Sequence, residues 1–265
     1  MYAFNYHKPA SLDEAAKLLS GASDGKFIAG GQTLLPTLKL RLASPSDVID
    51  LGGIKELNGI TVSGNTVTIG ATTKHAAVAS SAEVQKSIPV LSYLAGLIGD
   101  PQVRNMGTIG GSVANNDPAA DYPAAVLGLG ATVHTNRRAI TADDFFKGMF
   151  ETALEDGEII TRIEFPVPKR AGYEKFRNPA SRYAMVGVMV AETAGGIRVA
   201  VTGAAPCVFR HKEMEAALSK SFSADALNGI RTDPGMMNSD IHASAEYRAH
   251  LVGVMAKRAV QKALG

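Results

Sequence analysis

The sequence predicts an α+β protein of two domains, divided at Pro166-Val167-Pro168. Three observations carry that expectation. Upstream of the prolines, short strand patterns alternate with short helical patterns that end in glycine or start on a capping residue. The prolines themselves stop both a helix and a central strand. Downstream, two strand patterns are followed by helices, giving a small antiparallel sheet plus helices over 167–265.

The elements follow in order. Ser11-Leu12-Asp13-Glu14 reads as a capped helix start, with Ala15, Ala16, Leu18 and Leu19 as its apolar face, and Gly21 to Gly25 ends it. Lys26 to Ala29 is a short strand running into Gly30-Gly31, after which Leu34 to Leu42 resumes as a helix. Asp47 to Leu51 is a strand, and Ile60-Thr61-Val62 and Thr66 to Gly70 form a hairpin about Ser63-Gly64-Asn65. Thr72-Thr73-Lys74-His75 opens a helix. Another, Pro89 to Ile98, carries Val90, Leu91, Leu94, Leu97 and Ile98 on one face before Gly99-Asp100-Pro101 breaks it. A polar loop, Asn115 to Pro123, leads into the apolar segment Ala124 to Leu129; Ala131 to Thr135 and Glu158 to Phe165 are strands. Beyond the prolines, Tyr183 to Glu192 and Gly196 to Gly203 are strands, and Glu213 to Leu218, Asp225 to Ile230 and Ala245 to Leu264 are helical by pattern.

Composition excludes several functions. A net charge of +2, with Lys and Arg scattered, supplies no field for nucleic acid. The one cysteine, Cys207, excludes an intramolecular disulfide and cannot by itself hold an iron–sulfur cluster or a structural zinc, so any such centre belongs to another chain. The six histidines, His7, His75, His134, His211, His242 and His250, lack paired ligand spacing and read mostly as surface or helix-face residues. Neither a Gly-x-Ser-x-Gly elbow, a Gly-Lys-Ser/Thr phosphate loop nor a Gly-x-Gly-x-x-Gly fingerprint is present. Without a basic-then-apolar leader or a run of roughly twenty apolar residues, a cytoplasmic location is expected.

What remains is a pair of look-alike segments, Ala29-Gly30-Gly31-Gln32-Thr33 and Ile109-Gly110-Gly111-Ser112-Val113. Each follows an apolar stretch and reads as a Gly-Gly turn at a strand end, where the backbone comes close to a ligand and the next polar side chain offers a hydrogen bond. Taken alone, each reads sooner as a tight turn than as a phosphate loop; their similarity, with a hydroxyl or amide following each, brings the two readings level.

An ordered set of motifs adds to these turns. It comprises Ala29 to Pro36 with Arg41-Leu42-Ala43, Ile69-Gly70-Ala71-Thr72-Thr73-Lys74-His75, Asp100 to Ser112, Asp117-Pro118-Ala119-Ala120-Asp121, Gly157-Glu158-Ile159-Ile160, Tyr173-Glu174-Lys175-Phe176 and Glu246-Tyr247-Arg248. Together they cover nearly the whole chain, and in this order they resemble the FAD-binding medium subunits of the molybdenum hydroxylases, of the aerobic carbon monoxide dehydrogenase and bacterial xanthine dehydrogenase type.

The resemblance implies a vanillyl-alcohol-oxidase-like (PCMH-type) FAD domain of two α+β lobes over 1–166, dividing near 50–60, and a C-terminal flavoprotein domain over 167–265. It places the FAD diphosphate on Ala29, Gly30, Gly31, Gln32, Thr33 and Leu34 and on Thr108, Ile109, Gly110, Gly111 and Ser112. It implies further cofactor contacts from Asp121, Ile160 and Lys175, and sets Tyr183 over one face of the isoalloxazine. Arg182 stands where the family often has an acidic residue, and the spacing from Lys175 to Tyr183 differs by one residue from the xanthine-type members. The implied role is electron transfer within a heterotrimer, itself dimerised: an iron–sulfur small subunit delivers electrons from a molybdopterin large subunit to this FAD, and no side chain here acts as a catalytic acid or base. Two rivals are a free-standing flavin oxidoreductase, which would need its own substrate pocket over the flavin, and a cofactor-less assembly module. Retention of both Gly-Gly turns opposes the second.

Overall fold

The computed structural model describes residues 1–265. Its first lobe runs β1 (Asn5–His7), α1 (Leu12–Gly21), β2 (Gly25–Ile28), α2 (Leu34–Lys39) and β3 (Asp47–Asp50), with the strands in one parallel sheet of order β1-β3-β2. Ser11 caps α1 by accepting from the Glu14 amide, and Glu14 accepts in return from the Ala10 amide, one residue before the cap. This lobe closes on a small core of Ala15, Ile49, Leu51, Ile54, Leu57 and Ile159. Because Ile159 comes from far along the chain, it stitches the first lobe to the second.

The second lobe contains β4 (Ile60–Ser63), β5 (Thr66–Gly70), α3 (His75–Ser80), α4 (Ala82–Ser87), α5 (Pro89–Gly96), α6 (Pro101–Met106), α7 (Ile109–Asn115), α8 (Tyr122–Gly128), β6 (Thr132–Thr135), β7 (Ala139–Thr141), α9 (Ala142–Phe145), β8 (Phe146–Gly148), β9 (Glu151–Thr152) and β10 (Ile160–Pro166). Its five-stranded antiparallel sheet has the order β4-β5-β10-β6-β7. The last strand in sequence is therefore central, and Ile163 sits between Ile69 and Val133 in register. Alternation along β10 sends Ile163 and Phe165 into the core, and the irregularity between Ile160 and Arg162 brings Ile160 to the same side.

Beyond Pro166 come β11 (Arg170–Arg177), β12 (Ala184–Thr193), β13 (Gly196–Thr202), β14 (Phe209–Arg210), α10 (Lys212–Lys220) and α11 (Ala245–Leu264), the strands in one antiparallel sheet in sequence order. Both faces of β12 are covered. Val186, Val188 and Val190 join the core under α11, whereas Met189 and Ala191 join the second lobe's core beside the fully buried α8. The hydrophobic core thus continues across the prolines although the sheets do not.

Two sequence expectations need revision, and one strand has none to revise. Gly110-Gly111 does not end a strand: it forms the first turn of α7, capped by Thr108, because α6 occupies the preceding stretch after Asp100 caps it. The stretch Asp225 to Ile230 forms only a single tight turn, Ala224–Leu227, ended where Gly229 takes a φ of +85°. The strand β11 had no sequence forecast; it carries charged residues at Arg170, Glu174, Lys175 and Arg177, which blur a period-two pattern.

Candidate functional site

A cavity of about 560 Å³ opens between the two lobes, with the loop before β12 at its edge, in the size range of cofactor clefts. Ala29, Gly30, Gly31, Gln32, Thr33 and Leu34 form one wall, and Thr108, Gly110, Gly111 and Ser112 face them. Asp121, Ile160 and Tyr183 also line it. Two expected residues do not: Ile109 is fully buried behind the α7 turn, and Lys175 is sequestered in an ion pair with Asp121. Gly30 packs against the end of α6, just ahead of the second segment, since a Cβ on it would run into the carbonyl oxygen of Met106 and the Cα of Gly107.

The two segments are chemically unlike. In the first, the backbone N–H groups of Gly30, Gly31, Gln32, Thr33 and Leu34 donate to no protein acceptor. Gly31, at φ +69°, turns that run, and five such donors lining one wall make a concave surface for an anion without a basic side chain. In the second, every early N–H is already used: Ile109 donates to Thr73 O at 3.0 Å, Gly110 to Ala71 O at 2.8 Å, Gly111 to Thr108 Oγ1 at 3.2 Å and Ser112 to Thr108 O at 3.0 Å. This side contributes a flat glycine contour and the Ser112 hydroxyl, not a second set of amides.

Two carboxylates lie deeper: Glu158, which the sequence marks only as part of a motif, and Asp121, which the resemblance marks as a cofactor contact. Glu158 lines the cavity with its side chain fully buried, accepting from Arg138 Nε and Nη2, Thr135 Oγ1 and the Glu155 amide. The Arg138 hydrogen bonds foremost hold its pKa down to about 2, so it is a fixed carboxylate. Asp121 accepts from Tyr173 Oη at 2.5 Å and Lys175 Nζ at 2.9 Å; burial pushes its pKa up against those two groups.

His75 departs from the surface expectation. It is 5 % exposed, lines the cavity against Gly107, and packs on Tyr122 with ring centres 5.3 Å apart and planes tilted by 49°. Its Nδ1 and the Tyr122 hydroxyl are both buried without a partner. Burial, reinforced by the Arg104 charge, lowers the His75 pKa to about 4. The unfolded chain therefore binds a proton here at higher pH than the folded one; stability is complete above pH ~6.5 and falls as the pH drops toward 4. Between pH 7.5 and 4.5 His75 alone is expected to remove about 2–3 kcal/mol, measurable by urea unfolding. His75→Leu flattens that part of the profile, and an unchanged difference between the two pH values contradicts the assignment.

No group of three or more His, Cys, Asp or Glu side chains is arranged to hold a metal ion, and no helix is long and apolar enough to cross a membrane.

Comparison with known proteins shows the family to which the chain belongs. Residues 2–168 match the family described as the FAD binding domain in molybdopterin dehydrogenase, and residues 171–263 match the CO dehydrogenase flavoprotein C-terminal domain. The chain belongs to the FAD-binding medium subunits of the molybdenum hydroxylases. It is 37 % identical to the carbon monoxide dehydrogenase medium chain of Hydrogenophaga pseudoflava, over 98 % of this chain and 96 % of that one. With the nicotine 6-hydroxylase medium subunit of Paenarthrobacter nicotinovorans it shares 38 % identity, over 98 % and 97 %. Among solved structures, the carbon monoxide dehydrogenase from Hydrogenophaga pseudoflava lacking the Mo-pyranopterin moiety superposes with a TM-score of 0.89 at 39 % identity, covering 98 % of this chain and 97 % of its counterpart.

As a medium subunit of this family the chain is an α+β flavoprotein component of an oxidoreductase, with FAD as cofactor and an electron-transfer role. Its relatives are medium chains of multi-subunit enzymes. The cleft suits such a cofactor on its own terms: a row of unpaired amides for phosphate oxygens, a glycine contour at Gly110 and Gly111 without side chains to obstruct it, and apolar Ile98, Leu154 and Ile160 for rings.

Proposed function

We propose that this chain is the flavin relay of a dimerised heterotrimer in the cytoplasm. Substrate is oxidised at a molybdopterin centre on a large subunit, and electrons pass through iron–sulfur clusters on a small subunit to this FAD and on to an external acceptor. The observation that carries this reading is the contrast between a cavity furnished to hold a dinucleotide and a chain with one free cysteine and no cluster of metal ligands. A subunit so equipped takes its electrons across an interface.

Within the cavity, the proposed assignments follow donor chemistry. The amides of Gly30 to Leu34 and the hydroxyl of Ser112 hold the diphosphate; Gly110 and Gly111 allow it to approach; Ile160 offers an apolar contact; and Tyr183, half-exposed at the mouth, shields the ring. FAD when bound supplies the redox chemistry, and the chain positions it and excludes water. We also take 1–166 as the FAD-binding domain, with its lobes dividing near 50–60, and 167–265 as the C-terminal domain; the adjoining ends of the two family matches support that boundary.

Affinity purification of the full-length chain from its native host tests this reading. The expected result is a yellow complex holding an iron–sulfur chain and a molybdopterin chain, which releases FAD rather than FMN on denaturation. A chain that purifies alone and turns over a small organic substrate contradicts it.

A further inference from the structure

Lys175 sits on β11, and its side chain is only 2 % exposed. An ammonium has three N–H donors and no acceptor, so burial is tolerable only if all three are used. They are: Nζ donates to Leu97 O at 3.0 Å, to Asp121 Oδ2 at 2.9 Å and to Arg182 O at 3.0 Å. No donor is left for a ligand.

Each of these acceptors anchors a different piece of the cavity. Leu97 precedes Ile98 and Gly99, Asp121 lines the wall at the start of α8, and Arg182 precedes Tyr183 at the mouth. Arg182 needs such an anchor because it holds a left-handed φ of +64°, which a side chain disfavours. The turn around it is closed on itself, with the Arg182 amide donating to Asn178 O and the Asn178 amide to Tyr183 O. Lys175 is the charged tie from this turn to the rest of the cavity wall; beside it stand a long 3.4 Å contact from Arg182 Nη1 to Gly99 O and, just past Tyr183, a 3.3 Å bond from the Ala184 amide to Ala119 O.

We propose that Lys175 is a positioning residue for the cofactor site, which holds the Arg182 carbonyl and thereby seats Tyr183 at the cavity mouth, instead of contacting FAD itself. The inference rests on FAD occupying this cavity. It also accounts for the choice of lysine over arginine, since a planar fork does not meet three acceptors arranged around a point charge.

The test uses the full chain in its complex, loaded with FAD, and reads the fluorescence of the bound flavin, which a tyrosine over the ring quenches. The brace is removed as a charge-neutral pair, Lys175→Met with Asp121→Asn, so that no buried charge is left alone. Lys175→Arg, which keeps the charge, is the second variant should the pair fail to fold. Each is made with Tyr183 intact and with Tyr183→Leu. With Tyr183 intact, loss of the brace is expected to relieve the quenching and to weaken FAD binding by about tenfold. In the Tyr183→Leu background, the same change is expected to leave the fluorescence where Tyr183→Leu alone puts it, because the brace acts through that ring. Quenching retained without the brace, or effects that simply add, overturns the proposal while leaving FAD in the cavity. A wild-type complex without FAD overturns the functional reading and this inference together.

Discussion

Replacement of Gly111 by alanine is expected to strip FAD from the chain while leaving the chain folded. A Cβ at this position meets Thr108 Oγ1 at 2.9 Å and Ala29 Cβ at 4.0 Å, and otherwise points into the gap between the two glycine segments. Gly111 lies in α7 with ordinary helical geometry, and alanine is favoured over glycine in a helix by about 1 kcal/mol, which offsets the displacement of the Thr108 cap. The cost therefore falls on the ligand. A diphosphate that must lie against this contour loses contact with the Gly30 to Leu34 amides opposite, and two or more charge-assisted hydrogen bonds correspond to about 3 kcal/mol, or roughly a hundredfold in affinity. Titration with FAD, beside a thermal melt, separates the two effects; wild-type affinity in a folded variant refutes the placement.

Its neighbour gives the opposite result. A Cβ on Gly110 would stand 2.6 Å from Ala71 Cβ and 2.7 Å from Ala71 O. That carbonyl cannot yield, for it accepts from the Gly110 amide at 2.8 Å, and the Ala71 amide is tied to Thr161 O at 2.9 Å. The substitution thus wedges α7 away from the end of β5, and overpacking of this kind costs about 3 kcal/mol. For a protein of this size the melting temperature should fall by roughly 6–12 °C, with or without FAD. An unchanged melting temperature shows that the turn packs more loosely on Ala71 than these distances indicate.

The outcome of two adjacent glycines differs because of contacts that no local pattern reveals. The sequence marks both as a pair at a close approach, but whether the close partner is a ligand or Ala71 depends on a strand some forty residues upstream. The same distinction explains which parts were legible. Ser11 with Glu14, the hairpin about Gly64 and the alternation of β10 are short-range signals, and each stands close to where the pattern put it. The likeness of the two Gly-Gly segments suggested equivalent phosphate cradles. Only the fold shows that Ala71, Thr73 and Thr108 have consumed the amides of one and left those of the other free.

Charge groups were the least legible. Lys175 and Asp121 are 54 positions apart, and their pairing turns an expected cofactor contact into an internal brace. His75 follows a lysine at a helix start, a setting that usually faces water; its burial comes from α6 and α8 folding over it through Gly107 and Tyr122. A histidine inside a Gly-Ala-Thr-Thr-Lys-His run that also closes a β-strand was the available hint.

The most direct measurement is a structure of the assembled complex with its flavin in place. FAD is expected in the cavity between Gly30 to Leu34 and α7, its diphosphate oxygens within hydrogen-bond distance of those free amides and of the Ser112 hydroxyl, and Lys175 still bound to Leu97, Asp121 and Arg182. A diphosphate held instead by lysine or arginine side chains, or a flavin outside this cavity, contradicts the assignment.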